Sequence, residues 1–291
     1  MGCLQDRADG QKNNWAINEA KMKDVAVVCV GNTPLYEGEE GEAIGSTDGA
    51  DRTSIGLPTH QVDFVKRLAA EGVRIVLVVT GGSPIDLSAV WEHCAAILLA
   101  WYPGEQGGHG VAEVLFGDVA PAGRMPITVP RSLDCLPAYR DYSMDGRGYR
   151  FMRDADIAVP FGFGLSYTTF AYRRVEVAGS TAKGWTATVT VANTGARDGV
   201  EVVQLYHTPP AAAFRTPRHR LVGFARVMVR AGTEATVTIV VAAGALDSIT
   251  QDGSALLLSG SHTLVAAGCA PGTRATELGA SAPVQVELAL T

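Results

Sequence analysis

Glu37, Glu39, Glu40 and Glu42 crowd into the string LYEGEEGEAIG, after an apolar run that ends at Gly31 and before a helix-like run that begins near Thr59. Carboxylates this close repel one another, so a folded chain keeps them where water bathes them or where the repulsion is useful. The first case is a solvated acidic loop. The second is a proton donor, because a carboxyl group whose neighbours oppose its ionisation keeps its proton nearer to neutrality and can hand it on. Asp51 and Arg52 open the string DRTSIGLP that follows. Opposite charges at the entrance to a helix read as an ion pair or capping group that fixes the loop, in preference to a ligand contact.

Other chemistries find little support. The glycine-rich turns TGGSP and YPGEQGG belong to neither a Gly-x-x-x-x-Gly-Lys-Ser/Thr nor a Gly-x-Gly-x-x-Gly string, so a nucleotide site is disfavoured. VTGGSP is not a Gly-x-Ser-x-Gly elbow. The histidines at 60, 93, 109, 207, 219 and 262 lack metal-ligand spacing, and the five cysteines are far apart with no Cys-x-x-Cys pair. Neither a metal, a cofactor nor a disulfide framework is expected. A net charge of −6 and the lack of a basic block argue against nucleic acid or anionic lipid as partners. No apolar run is long enough to cross a bilayer, and MGCLQDRADGQKNNW lacks the apolar centre of a secretory signal, so no membrane association is expected and the compartment stays unassigned.

The acidic loop must be held by the elements around it. DVAVVCVG, RIVLVVT and AAILLAWY are continuously apolar and strand-like, whereas THQVDFVKRLAAEG, DLSAVWEHC and HGVAEVLFGD read as helices. Such alternation predicts a mainly parallel sheet covered on both faces, a three-layer α/β sandwich. Ligands of these sheets gather at the carboxyl ends of the strands, and the acidic loop begins at one of them. Residues 130–160, rich in Pro, Asp, Arg, Tyr and Gly, form a long irregular connection. Beyond Thr168 the pattern changes: WTATVTVANTG alternates apolar and threonine positions before a turn, and further short strands follow. Roughly seven strands in about 120 residues predict an antiparallel immunoglobulin or fibronectin III-like β-sandwich. The expected domains are an N-terminal extension at 1–23, an α/β domain at 24–168 and a β-sandwich at 169–291.

In one fixed order stand VGNTPLYEGEE, DRTSIGLPTHQ, VVTGGSPIDLS, AAILLAWYPGEQGG, AEVLFGDVAPAGRMPIT, YRF and PFGFGLSYTTFAY, then VANTGARDGVEVVQLY and RLVGFARV. Together they resemble the C-terminal part of glycoside hydrolase family 3, the β-glucosidases and β-xylosidases, including the fibronectin type III-like domain that ends many members. The resemblance implies an exo-acting retaining β-glycosidase. It also implies that the aspartate nucleophile belongs to a (β/α)8 barrel, which these 291 residues do not contain. A barrel-bearing domain or chain would then be a partner, and a β-linked glucoside or xyloside the substrate. Lining VGNTPLYE up with the family pattern puts the general acid/base at Glu37, with Glu39 the second choice. Trp101 and Tyr102, at a strand end, are candidates to stack on a sugar face. The alternative is a carbohydrate-binding or interaction module, derived from such an enzyme, that catalyses nothing.

Overall fold

The structure, a computed structural model, describes residues 14–33, 37 and 52–291. Glu39, Glu40, Glu42 and Asp51 lie outside the described residues, so the readings made for them have no structural counterpart here. Contacts divide the chain into two compact units: Met1–Glu113 with Arg131–Leu133, and Val114–Pro130 with Asp134–Thr291. That is a division by contact; the division by sequence pattern at Thr168 is a separate proposal.

In the first unit, β1 (Ala26–Gly31), β2 (Ile75–Thr80) and β3 (Ala96–Trp101) form a parallel sheet in the order β1-β2-β3. The central position of β2 explains its unbroken apolar run. Ile75, Leu77, Val78 and Val79 are all buried, so residues facing both sides of the sheet must be apolar. At the edge, β1 alternates instead, with Val27 and Cys29 exposed and Val28 and Val30 buried. Helices α1 (Asn14–Lys21) and α2 (Thr59–Ala70) supply Ile17, Val65 and Leu68 to the core formed with Val28, Val30, Ile75, Leu77 and Val79. A third helix, α3 (Gly107–Phe116), follows β3.

The sequence signals at the end of α2 act as expected. Gly72 takes a left-handed φ of 76°, and Gly72 N and Val73 N donate to Ala69 O and Leu68 O, the paired bonds that close a helix while burying the next apolar residue. One expected helix is not built. DLSAVWEHC contains only a 3₁₀ turn at Trp91–His93, because the Asp86 carboxylate accepts from both Ser88 N and Ser88 Oγ and holds the segment in a turn. Conversely, α1 falls in a stretch read only as an extension, where buried Ile17 anchors it to the core.

The second unit opens with β4 (Val129–Pro130) paired antiparallel to β5 (Ile157–Val159), and the connection between them holds the single-turn helix α4 (Gly148–Phe151). A β-sandwich follows. One sheet has the order β10-β7-β6, from β6 (Phe170–Ser180), β7 (Gly184–Asn193) and β10 (Glu234–Val241). The other has the order β14-β13-β8-β9, from β8 (Gly199–Thr208), β9 (Arg220–Val229), β13 (Gly260–Ala267) and β14 (Val284–Leu290). The short strands β11 (Ser248–Ile249) and β12 (Ala255–Leu256) pair with each other. Alternation on β7 buries Ala187, Val189 and Val191 against Val203, Leu205, Leu264 and Ala266 of the opposite sheet. No helix among the described residues is long and apolar enough to cross a membrane.

Candidate active site

Three strand ends of the first unit meet at one carboxylate. Parallel pairing in register, with Val30 opposite Val79 and Gly31 opposite Thr80, brings the residues after β1 and after β2 to the same edge of the sheet. Gly31 allows the close approach at this point: its φ is 138°, and a Cβ there would sit 1.8 Å from Thr80 O. Beyond Gly31, Asn32 N donates to Thr80 O at 3.0 Å and extends the ladder by one bond. The side chain of Gln61 satisfies the outer edge, accepting from Gly31 N at 2.8 Å and donating to Gly31 O at 2.9 Å.

Glu37 stands just past this end and accepts hydrogen bonds at both oxygens. Oε1 takes the Ser83 hydroxyl at 2.5 Å and faces Arg52 Nη2 at 3.3 Å and Asn32 Nδ2 at 3.5 Å. Oε2 takes the Tyr102 hydroxyl at 2.5 Å and Gly82 N at 3.4 Å. Arg52 Nη2 also donates to Ser83 Oγ at 2.5 Å, which ties the segment leading into α2 to the loop after β2. Burial pushes the Glu37 carboxyl up, but the bonds from Ser83 and Tyr102, the Arg52 charge and the Gly82 N–H outweigh it. The group is held below the usual carboxylate range. This reverses the effect expected from clustered glutamates, because the described neighbours of Glu37 are donors and a cation. The Tyr102 hydroxyl is pushed up, first by burial and then by the carboxylate it faces.

The backbone that presents Tyr102 is unusual. Pairing between β2 and β3 slips after Val79–Leu99, so that Thr80 lies opposite Trp101 and Ala100 is an extra residue. Trp101 has φ 55°, the one positive value at a non-glycine position among the described residues. A bulky side chain in that region costs on the order of 1–3 kcal/mol. Two polar groups beside Glu37 lack partners: Asn32 Oδ1 and Arg52 Nη1 are buried without a hydrogen bond. An orphan acceptor and an orphan donor next to a carboxylate suit hydroxyl-bearing ligands. Among the described residues, no group of three or more His, Cys, Asp or Glu is placed to hold a metal ion.

The structure therefore gathers Glu37, Arg52 and Tyr102 at one place, with Trp101 next to it. Sequence reasoning passed over Asn32, Gly82 and Ser83. A signal was there to find, since each lies within three residues of the end of a parallel strand, and such ends converge.

Comparison with known proteins bears on this site. The glycosyl hydrolase family 3 C-terminal domain matches residues 4–167, and a fibronectin type III-like domain matches residues 201–268. A xylan 1,4-beta-xylosidase of Xylanibacter ruminicola is 41% identical over 228 residues, covering 76% of this chain and 26% of that protein. A periplasmic beta-glucosidase of Salmonella typhimurium is 36% identical over 237 residues, covering 77% of this chain and 30% of that protein. The crystal structure of a Bifidobacterium adolescentis GH3 beta-glucosidase superposes with a TM-score of 0.81 at 30% identity, over 98% of this chain and 42% of that one. The chain thus spans about a quarter to a third of the length of the curated relatives it matches. With a domain match over more than half of its residues, an α/β unit followed by a fibronectin-like sandwich, and relatives of one kind, the chain belongs to glycosyl hydrolase family 3.

Proposed function

We propose that this chain is the acid/base-bearing part of an exo-acting retaining β-glycosidase, with Glu37 as general acid/base and the nucleophile on a barrel outside these residues. The observation that carries the reading is the convergence of three strand ends on the Glu37 carboxylate. The substrate class follows from the relatives' names, a xylan 1,4-beta-xylosidase and a beta-glucosidase, and is a β-xyloside or β-glucoside. The unpartnered Asn32 Oδ1 and Arg52 Nη1 support a hydroxylated ligand beside Glu37.

In this mechanism a carboxylate on the barrel attacks the anomeric carbon while Glu37 protonates the departing oxygen. Glu37 then takes a proton from the water that releases the sugar. An ionised Glu37, held by Ser83, Tyr102 and Arg52, suits the second step. The first step needs the carboxyl raised. A second carboxylate about 5–5.5 Å away and exclusion of water by the bound sugar both act in that direction.

The test uses the chain joined to a family 3 barrel. Glu37→Gln is expected to lower turnover about 10²–10⁴-fold on substrates with poor leaving groups and to spare activated aryl glycosides. Equal loss on both would move the role elsewhere, and Glu39→Gln in the same assay tests the second choice. The alternative, a module that binds or spaces without catalysis, draws on the low carboxyl pKa, since a carboxylate bound by five donors can also serve purely as a loop clamp. On that reading Glu37→Gln leaves turnover of the joined enzyme unchanged on both substrate types.

A further inference from the structure

We propose that Tyr102 is the positioning residue that seats Glu37 and governs which of its oxygens can carry a proton, aimed there by the left-handed backbone of Trp101 and the bare Cα of Gly82. The inference rests on the reading of Glu37 as acid/base, and it adds the group that controls it.

The two oxygens are not equivalent. Oε1 is enclosed by Ser83, Arg52 and Asn32, two of which are anchored in turn: Arg52 to Ser83, and Asn32 through its backbone to Thr80. A proton at Oε1 would face a hydroxyl donor and a cation. Among the described residues, Oε2 meets a single side chain, Tyr102, besides the distant Gly82 N–H. The Ser83 and Tyr102 hydroxyls can each donate to a carboxylate or accept from a carboxylic acid, but Oε1 also faces Arg52 Nη2 and Asn32 Nδ2, which can only donate, whereas at Oε2 the phenol is the near partner and it can adapt. Protonation therefore belongs at Oε2. It requires Tyr102 to turn its hydroxyl hydrogen away, or to give up its place to a ligand oxygen.

The backbone is built to bring Tyr102 there. The left-handed turn at Trp101 does not serve to bury the next side chain, since Tyr102 is 51% exposed. The extra residue at Ala100 and the turn at Trp101 re-aim the chain, and the Trp101 carbonyl stays tied to Gly81 N at 3.2 Å. The ring then lies over Gly82, where a Cβ would come within 2.6 Å of Tyr102 Cε2. Gly82 has no positive φ to demand glycine, so the missing side chain makes room for the ring.

The test reads the carboxyl group directly and needs no turnover. In the 291-residue chain labelled at glutamate Cδ, the Glu37 signal is assigned by its loss in Glu37→Gln and titrated by NMR. Tyr102→Phe removes the hydroxyl and keeps the ring; Gly82→Ala keeps the hydroxyl and displaces the ring. Both are expected to move the Glu37 midpoint upward. An unchanged midpoint in folded Tyr102→Phe overturns the proposal. A reciprocal measurement covers the case in which that variant does not fold. In Glu37→Gln, the Tyr102 phenol, followed by absorbance and assigned by its loss in the double variant with Tyr102→Phe, is expected to titrate at lower pH. A phenol indifferent to Glu37→Gln also overturns the proposal. If Glu37 proves not to be the proton donor in the joined enzyme, these titrations still decide whether Tyr102 seats it.

Discussion

A carboxylate is costly to bury unless donors surround it, and this chain solves that problem twice with different results. At Glu37 the donors win and the group is held ionised. At Glu201, only 3% exposed, burial wins and the carboxyl is pushed up, even though Arg124 Nη2 lies at 2.9 Å and the Tyr172 hydroxyl donates at 2.9 Å. Arg124 Nε is itself buried without a partner, so the guanidinium is already incompletely satisfied. Removing the acid would strand the guanidinium. Glu201→Ala is expected to cost about 3–5 kcal/mol in urea unfolding, whereas Tyr172→Phe, which removes one hydrogen bond to a charged group, costs about 1.5–3 kcal/mol. Equal losses would mean that the stranded cation is not the dominant effect. The Glu37 site was half legible in the sequence, because residue type and spacing pick out a carboxylate after a strand. Its donors Ser83 and Tyr102 are 46 and 65 residues away along the chain, and that separation hides them.

At the scale of elements, the sandwich carries a pH-sensitive contact between two strands. His207 of β8 and His262 of β13 stack at 5.0 Å with an interplanar angle of 9°, and His207 Nε2 lies 2.8 Å from His262 Nδ1. His262 Nε2 donates to Leu258 O at 2.7 Å, and in that tautomer Nδ1 accepts from His207 Nε2. Burial, His262 and the nearby Arg220 push His207 down to about 3. The unfolded chain binds a proton at about pH 6.5 and the folded one only near 3, so stability falls as pH drops through that window, by on the order of 5 kcal/mol. Urea midpoints measured between pH 7 and pH 4 check this: His207→Leu is expected to flatten the slope, and an unaltered slope would assign the acid sensitivity to other groups. Alternation made these strands readable; the pairing of their two histidines was not, because the register between neighbouring strands is absent from the pattern of either one. The missing helix at DLSAVWEHC has a local cause, since Asp86 outcompetes helical hydrogen bonding for Ser88.

For the whole molecule, the governing fact is the chain's share of its relatives, 26% of one and 30% of another. Retaining hydrolysis needs two carboxyl groups on either side of one bond, and the proposed site supplies one. Purified as these 291 residues, the chain is expected to show negligible release of aryl alcohol from aryl β-glucosides or β-xylosides, with turnover appearing on addition or fusion of a family 3 barrel. Robust hydrolysis by the chain alone, retained in Glu37→Gln, would show that a different pair of groups does the chemistry.

Composition, apolar periodicity and the order of short strings determined the kind of elements, the sequence of an α/β unit and a β-sandwich, and the strand end at which a carboxylate stands. These are local properties, written in neighbouring residues by side-chain polarity and backbone preference. Only the tertiary structure decided that Glu37 is held by donors and a cation, that Trp101 turns left-handed to aim Tyr102, and that His207 meets His262. Each of those results depends on strand register and on through-space electrostatics between residues distant in the chain, and neither leaves a periodic trace in the sequence.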